Sequence, residues 1–279
     1  MSYHPPISQL MLALRGAGKS GTSDESGLSV DDMQAIISEA GRFAADRIAP
    51  LNRAGDQNPA KLVNGEVETP PGWRDVYQDW CAAGWNSLSG PVAFGGQDLP
   101  MVLAAACTEL WNSASMGFAL CPLLTTGAIE AIAAHASDEL KQRYLPKMVS
   151  GEWSGTMNLT EPQAGSDLSQ LRCKALRNPD GGYAITGSKI FITYGEHDFT
   201  SNIIHLVLAR LEDAPPGTKG ISLFLVPKFL PDGMRNDVHC HSLEHKLGIH
   251  GSPTCTMVYG DNGGAKGWLI GAENRGLAC

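Results

Sequence analysis

The sequence predicts an α+β protein: an all-helical N-terminal part, residues 1–150, followed by an antiparallel β-barrel or sandwich, residues 151–279. Three observations carry this expectation. Apolar residues recur at helical spacing through Met148 and at strand spacing after Gly151. The two periods are segregated along the chain, without the strand-helix alternation that a Rossmann domain needs. The strand-like runs are separated by turn clusters such as NPDGG at 178–182 and DAPPGTKG at 213–220.

Composition narrows the function classes. A chain of 279 residues is long enough for about two domains with adequate cores. A net charge of −8 and no local basic patch argue against a nucleic-acid or anionic-membrane role. The seven cysteines show no CxxC spacing, so a zinc ribbon, a dithiol motif and a dense disulfide framework are all disfavoured. Leu10 to Leu14 is too short and lacks the basic flank of a secretion signal. No apolar run approaches the ~18 residues of a membrane-spanning helix. A cytoplasmic location is the expectation.

Residues 1–28 read as a partly mobile lead segment, a helical turn followed by a polar loop. Gly16, Gly18 and Gly21 fit GxGxxG, but no strand precedes them and no apolar helix follows. Gly18, Lys19 and Ser20 end like a phosphate-binding loop, yet Ala13 stands where that loop needs glycine. Ser29 caps a helix with Asp31 and Asp32 in its first turn and an apolar stripe of Met33, Ile36, Ile37, Ala40, Ala44 and Ile48. Pro50 is expected to end it, with a loop from Asn52 to Glu68. Thr69, Pro70 and Pro71 introduce a second helix through Trp73, Val76, Tyr77, Trp80 and Cys81, closed by Gly84. Residues 90–100 read as loop. Helices are expected over Met101–Asn112, Leu123–His135 and, behind a Ser137 cap, Asp138–Met148. About eight strands then follow, at 154–160, 171–176, 183–193, 202–210, 220–227, 237–243, 252–260 and 268–271.

Among chemical motifs, His241 to His245 fits HxxEH, a zinc-peptidase signature that requires a helix. The strand-like run ending at Leu243, with Gly248 and Gly251 following, is the wrong setting. His239 and His241 share a strand face, an arrangement common in ordinary packing. No GxSxG elbow is present. Thr160 to Leu168, TEPQAGSDL, is more informative: Thr160 offers a hydroxyl at a strand end, and the turn Ala164–Asp167 presents amides and the Ser166 hydroxyl to phosphate oxygens. In KIFITYG, alternation places Lys189, Phe191 and Thr193 on one face. An aromatic plate beside a hydroxyl suits a planar heterocycle. The competing interpretation is an ordinary hairpin in which Phe191 is core and Thr193 a mere strand former.

MNLTEPQAGSDL (157–168) and GSKIFIT (187–193), followed by LVLAR, GISLFLVP, EHKLGIHGSPT and GWLIGAENRGL, resemble the acyl-CoA dehydrogenase family, in the branch that includes 3-methylmercaptopropionyl-CoA dehydrogenase. The resemblance covers nearly the whole chain. It implies a helical domain followed by a β domain, FAD as cofactor, an acyl-CoA substrate, an electron-transfer flavoprotein as acceptor and a homo-oligomer. It places Met157, Leu159 and Thr160 along the flavin rings, with Thr160 near the pyrimidine edge. Gly165 and Ser166 would approach the FAD pyrophosphate or, for Ser166, the CoA of the substrate. Phe191 stands where many members have Trp, with Ile192 beside it, and Thr193 would hydrogen-bond near flavin N5. The family's catalytic base is usually a Glu on a C-terminal helical domain that follows the β domain. That base is expected beyond Cys279, so no catalytic residue is assigned, and Glu161 reads as a structural turn residue. The alternative is a non-catalytic flavin-binding or interaction protein that needs a separate helical partner.

Overall fold

The computed structural model describes residues 3–18 and 27–279. Helix α1 (Ile7–Gly18) buries Leu10, Met11 and Leu14 against the helices that follow. Gly16 and Gly18 occupy its last turn, so the strand-turn-helix setting of a nucleotide loop is missing. Lys19, Ser20, Gly21 and the polar loop expected there lie outside the described residues.

Helix α2 (Val30–Phe43) begins at a capping box. The Ser29 hydroxyl accepts from the Asp32 amide at 3.1 Å, and the Asp32 carboxylate accepts from the Ser29 amide at 2.9 Å. Pro50 does not end this helix. The chain widens into a π-helical turn over Ala44–Ile48 and continues as α3 (Ala49–Gln57), with Pro50 in its first turn. A proline is tolerated in the first turn of a helix, where its missing N–H costs no intrahelical bond. Nor is the segment after α3 all loop. β1 (Lys61–Val63) and β2 (Glu66–Glu68) pair antiparallel around Asn64–Gly65, both at positive φ (52° and 84°), as a two-residue type I′ turn requires.

Helix α4 (Trp73–Ala82) is followed by Gly84 at φ 76°. The two helices expected on either side of 113–122 form one element, α5 (Met101–His135), interrupted only by a kink at Ser115 (φ −160°, ψ 98°) and accommodating Pro122. Among the described helices, α5 alone is long and apolar enough to cross a membrane. Its packing is that of a central core helix. Leu103, Cys107, Leu110 and Phe118 join a core with α1, α2 and α4, whereas Ala128, Ile129 and Ile132 join the core of the β part. α6 (Asp138–Val149) starts at the Ser137 cap.

All eight expected runs contain strands: β3 (Trp153–Asn158), β4 (Lys174–Arg177), β5 (Tyr183–Thr193), β6 (Asn202–Leu211), β7 (Ile221–Pro227), β8 (Val238–Leu243), β9 (Thr254–Tyr259) and β10 (Ala265–Ile270). β5, β4, β6, β7 and β10 close into a barrel, because β10 pairs with both β7 and β5. The sheet is not wholly antiparallel: β3 and β4 both run parallel to β6. β5 serves two neighbourhoods. Its first half pairs with β4 and β10, its second half with β9, and the change falls at Gly187. A Cβ there would lie 2.5 Å from Cys173 Sγ, so only glycine allows the corner. α5 crosses β3 at Gly155, where a Cβ would meet Ala128 at 2.4 Å, and the Gly155 amide donates to Thr125 Oγ1 at 3.0 Å.

Candidate functional site

Strand β3 alternates. Ser154, Thr156 and Asn158 are buried, Met157 on the opposite face is half-buried, and Leu159 and Thr160, just past the strand, are half-buried. The chain then turns tightly, with Glu161 and Ala164 exchanging backbone hydrogen bonds at 2.9 and 3.0 Å. Gly165 and Ser166 emerge exposed at the end of this turn, and among the described residues the Ser166 hydroxyl has no partner.

Glu161 is the anchor of that turn. Its carboxylate accepts from Lys189 Nζ at 2.9 Å and from the amides of Arg172 at 2.7 Å and Cys173 at 3.0 Å. Burial pushes its carboxyl up, but the lysine charge and the amides outweigh burial and hold it below the usual glutamate range. The structural role expected for Glu161 is what its contacts show. Lys189 also donates to the Leu159 carbonyl at 3.0 Å, so one buried ammonium ties β5 to the end of β3.

This pairing corrects the face expected for Lys189. The register of β5 against β9 slips between Lys189 and Ile192, and Phe191 takes φ 60°. Lys189 therefore points inward with nothing of its side chain exposed, while Phe191 turns outward at 58% exposure. Ile192 is buried, so its side chain belongs to the core. Thr193 is half-buried, and its hydroxyl makes no hydrogen bond among the described residues. A positive φ on a bulky aromatic is a strained conformation, and here its effect is to present the ring.

The end of β3 and the bulged end of β5 are thus held next to each other. Met157, Leu159, Thr160 and Thr193 are half-buried there, Phe191 is exposed, and Gly165 and Ser166 are exposed in the turn that follows β3. A separate apolar cavity of about 360 Å³ lies between α4 and α5, lined by Trp80, Trp111, Ala119, Leu123 and Thr126 among others.

Sequence profiles of two acyl-CoA dehydrogenase domains match this chain, the N-terminal domain over residues 30–152 and the middle domain over residues 156–262. The chain belongs to the acyl-CoA dehydrogenase family. It is 50% identical to 3-methylmercaptopropionyl-CoA dehydrogenase of Ruegeria pomeroyi, covering 99% of this chain and 48% of that protein. It is 41% identical to a butyryl-CoA dehydrogenase of Syntrophomonas wolfei, covering 87% of this chain and 41% of that protein. The chain thus spans about half the length of these curated relatives. The fold matches that of a Bacillus anthracis acyl-CoA dehydrogenase solved in complex with FAD, with TM-score 0.73 at 23% identity, covering 91% of this chain and 39% of that one.

Two other histidine-bearing sites are accounted for without acyl-CoA dehydrogenase chemistry. His197 lies 2.8 Å from Ser154 Oγ, a spacing that resembles a Ser-His pair. Its Nδ1, however, accepts from the Phe199 amide at 3.1 Å, so the proton sits on Nε2 and is donated to the serine. Such a histidine cannot take the serine proton, and burial, with Lys228 and His205 nearby, drives its pKa down to about 3. The HxxEH run is split between β8 and a loop, so its histidines share no helical face. Sequence reasoning missed the Glu161–Lys189 pair and the inward Thr156. A lysine inside an apolar strand was the available signal for the first, and period-two alternation along β3 for the second.

Proposed function

We propose that these residues form the flavin-holding part of an FAD-dependent acyl-CoA dehydrogenase, an enzyme that removes α and β hydrogens from an acyl-CoA thioester. The observation that carries this reading is the outward Phe191 ring and the unpaired Thr193 hydroxyl on a β5 segment that hydrogen-bonds to the Leu159–Thr160 end of β3. FAD, when bound, supplies the hydride acceptor. Phe191 covers one ring face, Met157 and Leu159 give apolar wall, and Thr160 and Thr193 hydrogen-bond the polar edge. The exposed turn at Gly165 and Ser166 offers an amide and a hydroxyl to phosphate oxygens of FAD or CoA. The apolar walls of the cavity between α4 and α5 suit an alkyl chain.

Glu161 does not serve as the base, because its oxygens are taken by Lys189 and two amides. We place the base in protein beyond Cys279, in keeping with the half-length coverage of the relatives. An electron-transfer flavoprotein as acceptor, a homo-oligomeric cytoplasmic enzyme and a domain boundary at residue 150 complete the proposal. The test is to mix the purified chain with FAD, desalt it and record a visible spectrum. A retained flavin band is expected, and Thr193→Ala is expected to lose more of it than Thr200→Ala, whose hydroxyl instead donates to the Asn202 carbonyl at 2.8 Å. Complete elution of FAD from the unaltered chain, or equal retention in the two variants, rejects the assignment.

A further inference from the structure

β3 and β5 are not partners in the sheet, yet they lie side by side near the end of β3. At one end they are joined where the Ile190 amide donates to the Thr160 carbonyl at 2.9 Å and Lys189 Nζ donates to the Leu159 carbonyl at 3.0 Å. At the other end the joint is a side chain. Thr156 Oγ1 donates to the Thr193 carbonyl at 2.7 Å, and among the described residues no other hydrogen bond connects the strands there. Thr156 is fully buried, on the opposite strand face from its half-buried neighbour Met157. The carbonyl it holds lies in a strained stretch, with Phe191 at φ 60° before it and Tyr194 at φ 52° after it.

We propose that Thr156 is a positioning residue of the flavin site. Its hydroxyl fixes the separation of β3 from the bulge of β5, so that Met157–Thr160 and Phe191–Thr193 address one planar ligand from both sides. This rests on the flavin reading above. The physical reason is that sheet pairing is absent between these strands and strained residues stand on both sides of Thr193, Phe191 two positions before it and Tyr194 directly after it. A single buried hydrogen bond then sets how far the Phe191–Tyr194 stretch relaxes. The residue touches no ligand itself, and it acts through the Thr193 backbone.

The experiment is an FAD titration of the 279-residue chain, followed by flavin fluorescence and visible absorption, for the unaltered protein and for Thr156→Val, Thr156→Ala and Thr156→Ser. Valine keeps the shape and removes the donor, and alanine removes the donor with the least packing demand should valine not fold. The unaltered chain is expected to bind FAD. The valine and alanine variants are expected to bind it ~10-fold more weakly, with a shifted flavin band, and serine is expected to restore both. A thermal melt on each variant separates folding from positioning. A variant that melts earlier but, while folded, binds FAD with unchanged affinity and spectrum overturns the positioning role and leaves the flavin reading intact. Failure of the unaltered chain to bind FAD removes the flavin reading and this inference with it.

Discussion

Glu161, in the turn that follows β3, and Glu196, between the barrel and the β1–β2 hairpin, are both buried carboxylates facing a lysine, and their surroundings drive them in opposite directions. Glu161 has Lys189 to itself and receives two backbone amides from Arg172 and Cys173. Glu196 shares its cations. Lys228 donates to it at 2.5 Å and to Glu66 at 2.7 Å, while Arg235 donates to it at 3.3 Å and to Glu66 at 2.9 Å. Burial raises the Glu196 carboxyl, Glu66 adds to the rise, and Lys228 and Arg235 do not fully offset it. At Glu161 the offset exceeds burial. The difference teaches that a neighbouring cation does not by itself hold a buried carboxyl below its ordinary range. Glu196 accepts one backbone amide, from His197 at 3.1 Å, against two at Glu161, and its countercharge is divided.

The comparison breaks most readily through stability. Glu161→Gln leaves Lys189 charged with no countercharge in a fully buried place, and a loss of ~3–5 kcal/mol is expected in urea unfolding. Glu196→Gln leaves Lys228 its contact with Glu66, and a smaller loss of ~1–2 kcal/mol is expected. Equal losses would show that sharing does not matter.

A pH series sharpens the same contrast. The Glu161 carboxyl is held below its ordinary value, so its stabilisation is present above the ordinary glutamate range and lost as pH falls through the depressed value. The Glu196 carboxyl is raised, so its contribution is fully present below the ordinary range and lost as pH rises through the raised value. With urea midpoints taken between ~pH 3 and ~pH 7, Glu161→Gln is expected to flatten the acid-side fall and Glu196→Gln to steepen it. Shifts of the same sign would contradict the assignment.

The smallest stability effect is expected above Glu161, at the exposed end of the bulge. Phe191→Ala is predicted to change unfolding by no more than ~0.5 kcal/mol, since the ring packs little within the chain. The same variant is predicted to lose FAD on desalting. A large stability loss would mean that the ring is core, the ordinary-hairpin interpretation of this strand.

Much of the fold is legible in the sequence because its signals are local. Ser29 with Asp32, Ser137, the strand runs and the Gly/Pro/Asp turns each act within a few residues, and each forms where its pattern predicts. The Asn64–Gly65 hairpin was equally local, but its three-residue strands are too short to show a period. Pro50 and α5 depart from expectation for another reason. The proline falls in the first turn of α3, where it is tolerated, and packing against two cores carries α5 through a stretch whose own pattern suggests a break.

The candidate site divides along the same line. The sequence by itself singled out the two segments of the candidate site, 157–166 and 191–193, because TEPQAGSDL and KIFIT are distinctive as contiguous strings. Tertiary structure alone decided which of their side chains turn outward and which are buried. Lys189 turned inward because its partner Glu161 lies 28 residues away, and Phe191 turned outward because pairing with β9 forces a register slip. The Thr156 bond to the Thr193 carbonyl spans 37 residues. No window of sequence contains both ends of these contacts, and alternation within one strand cannot register a bulge imposed by its neighbour.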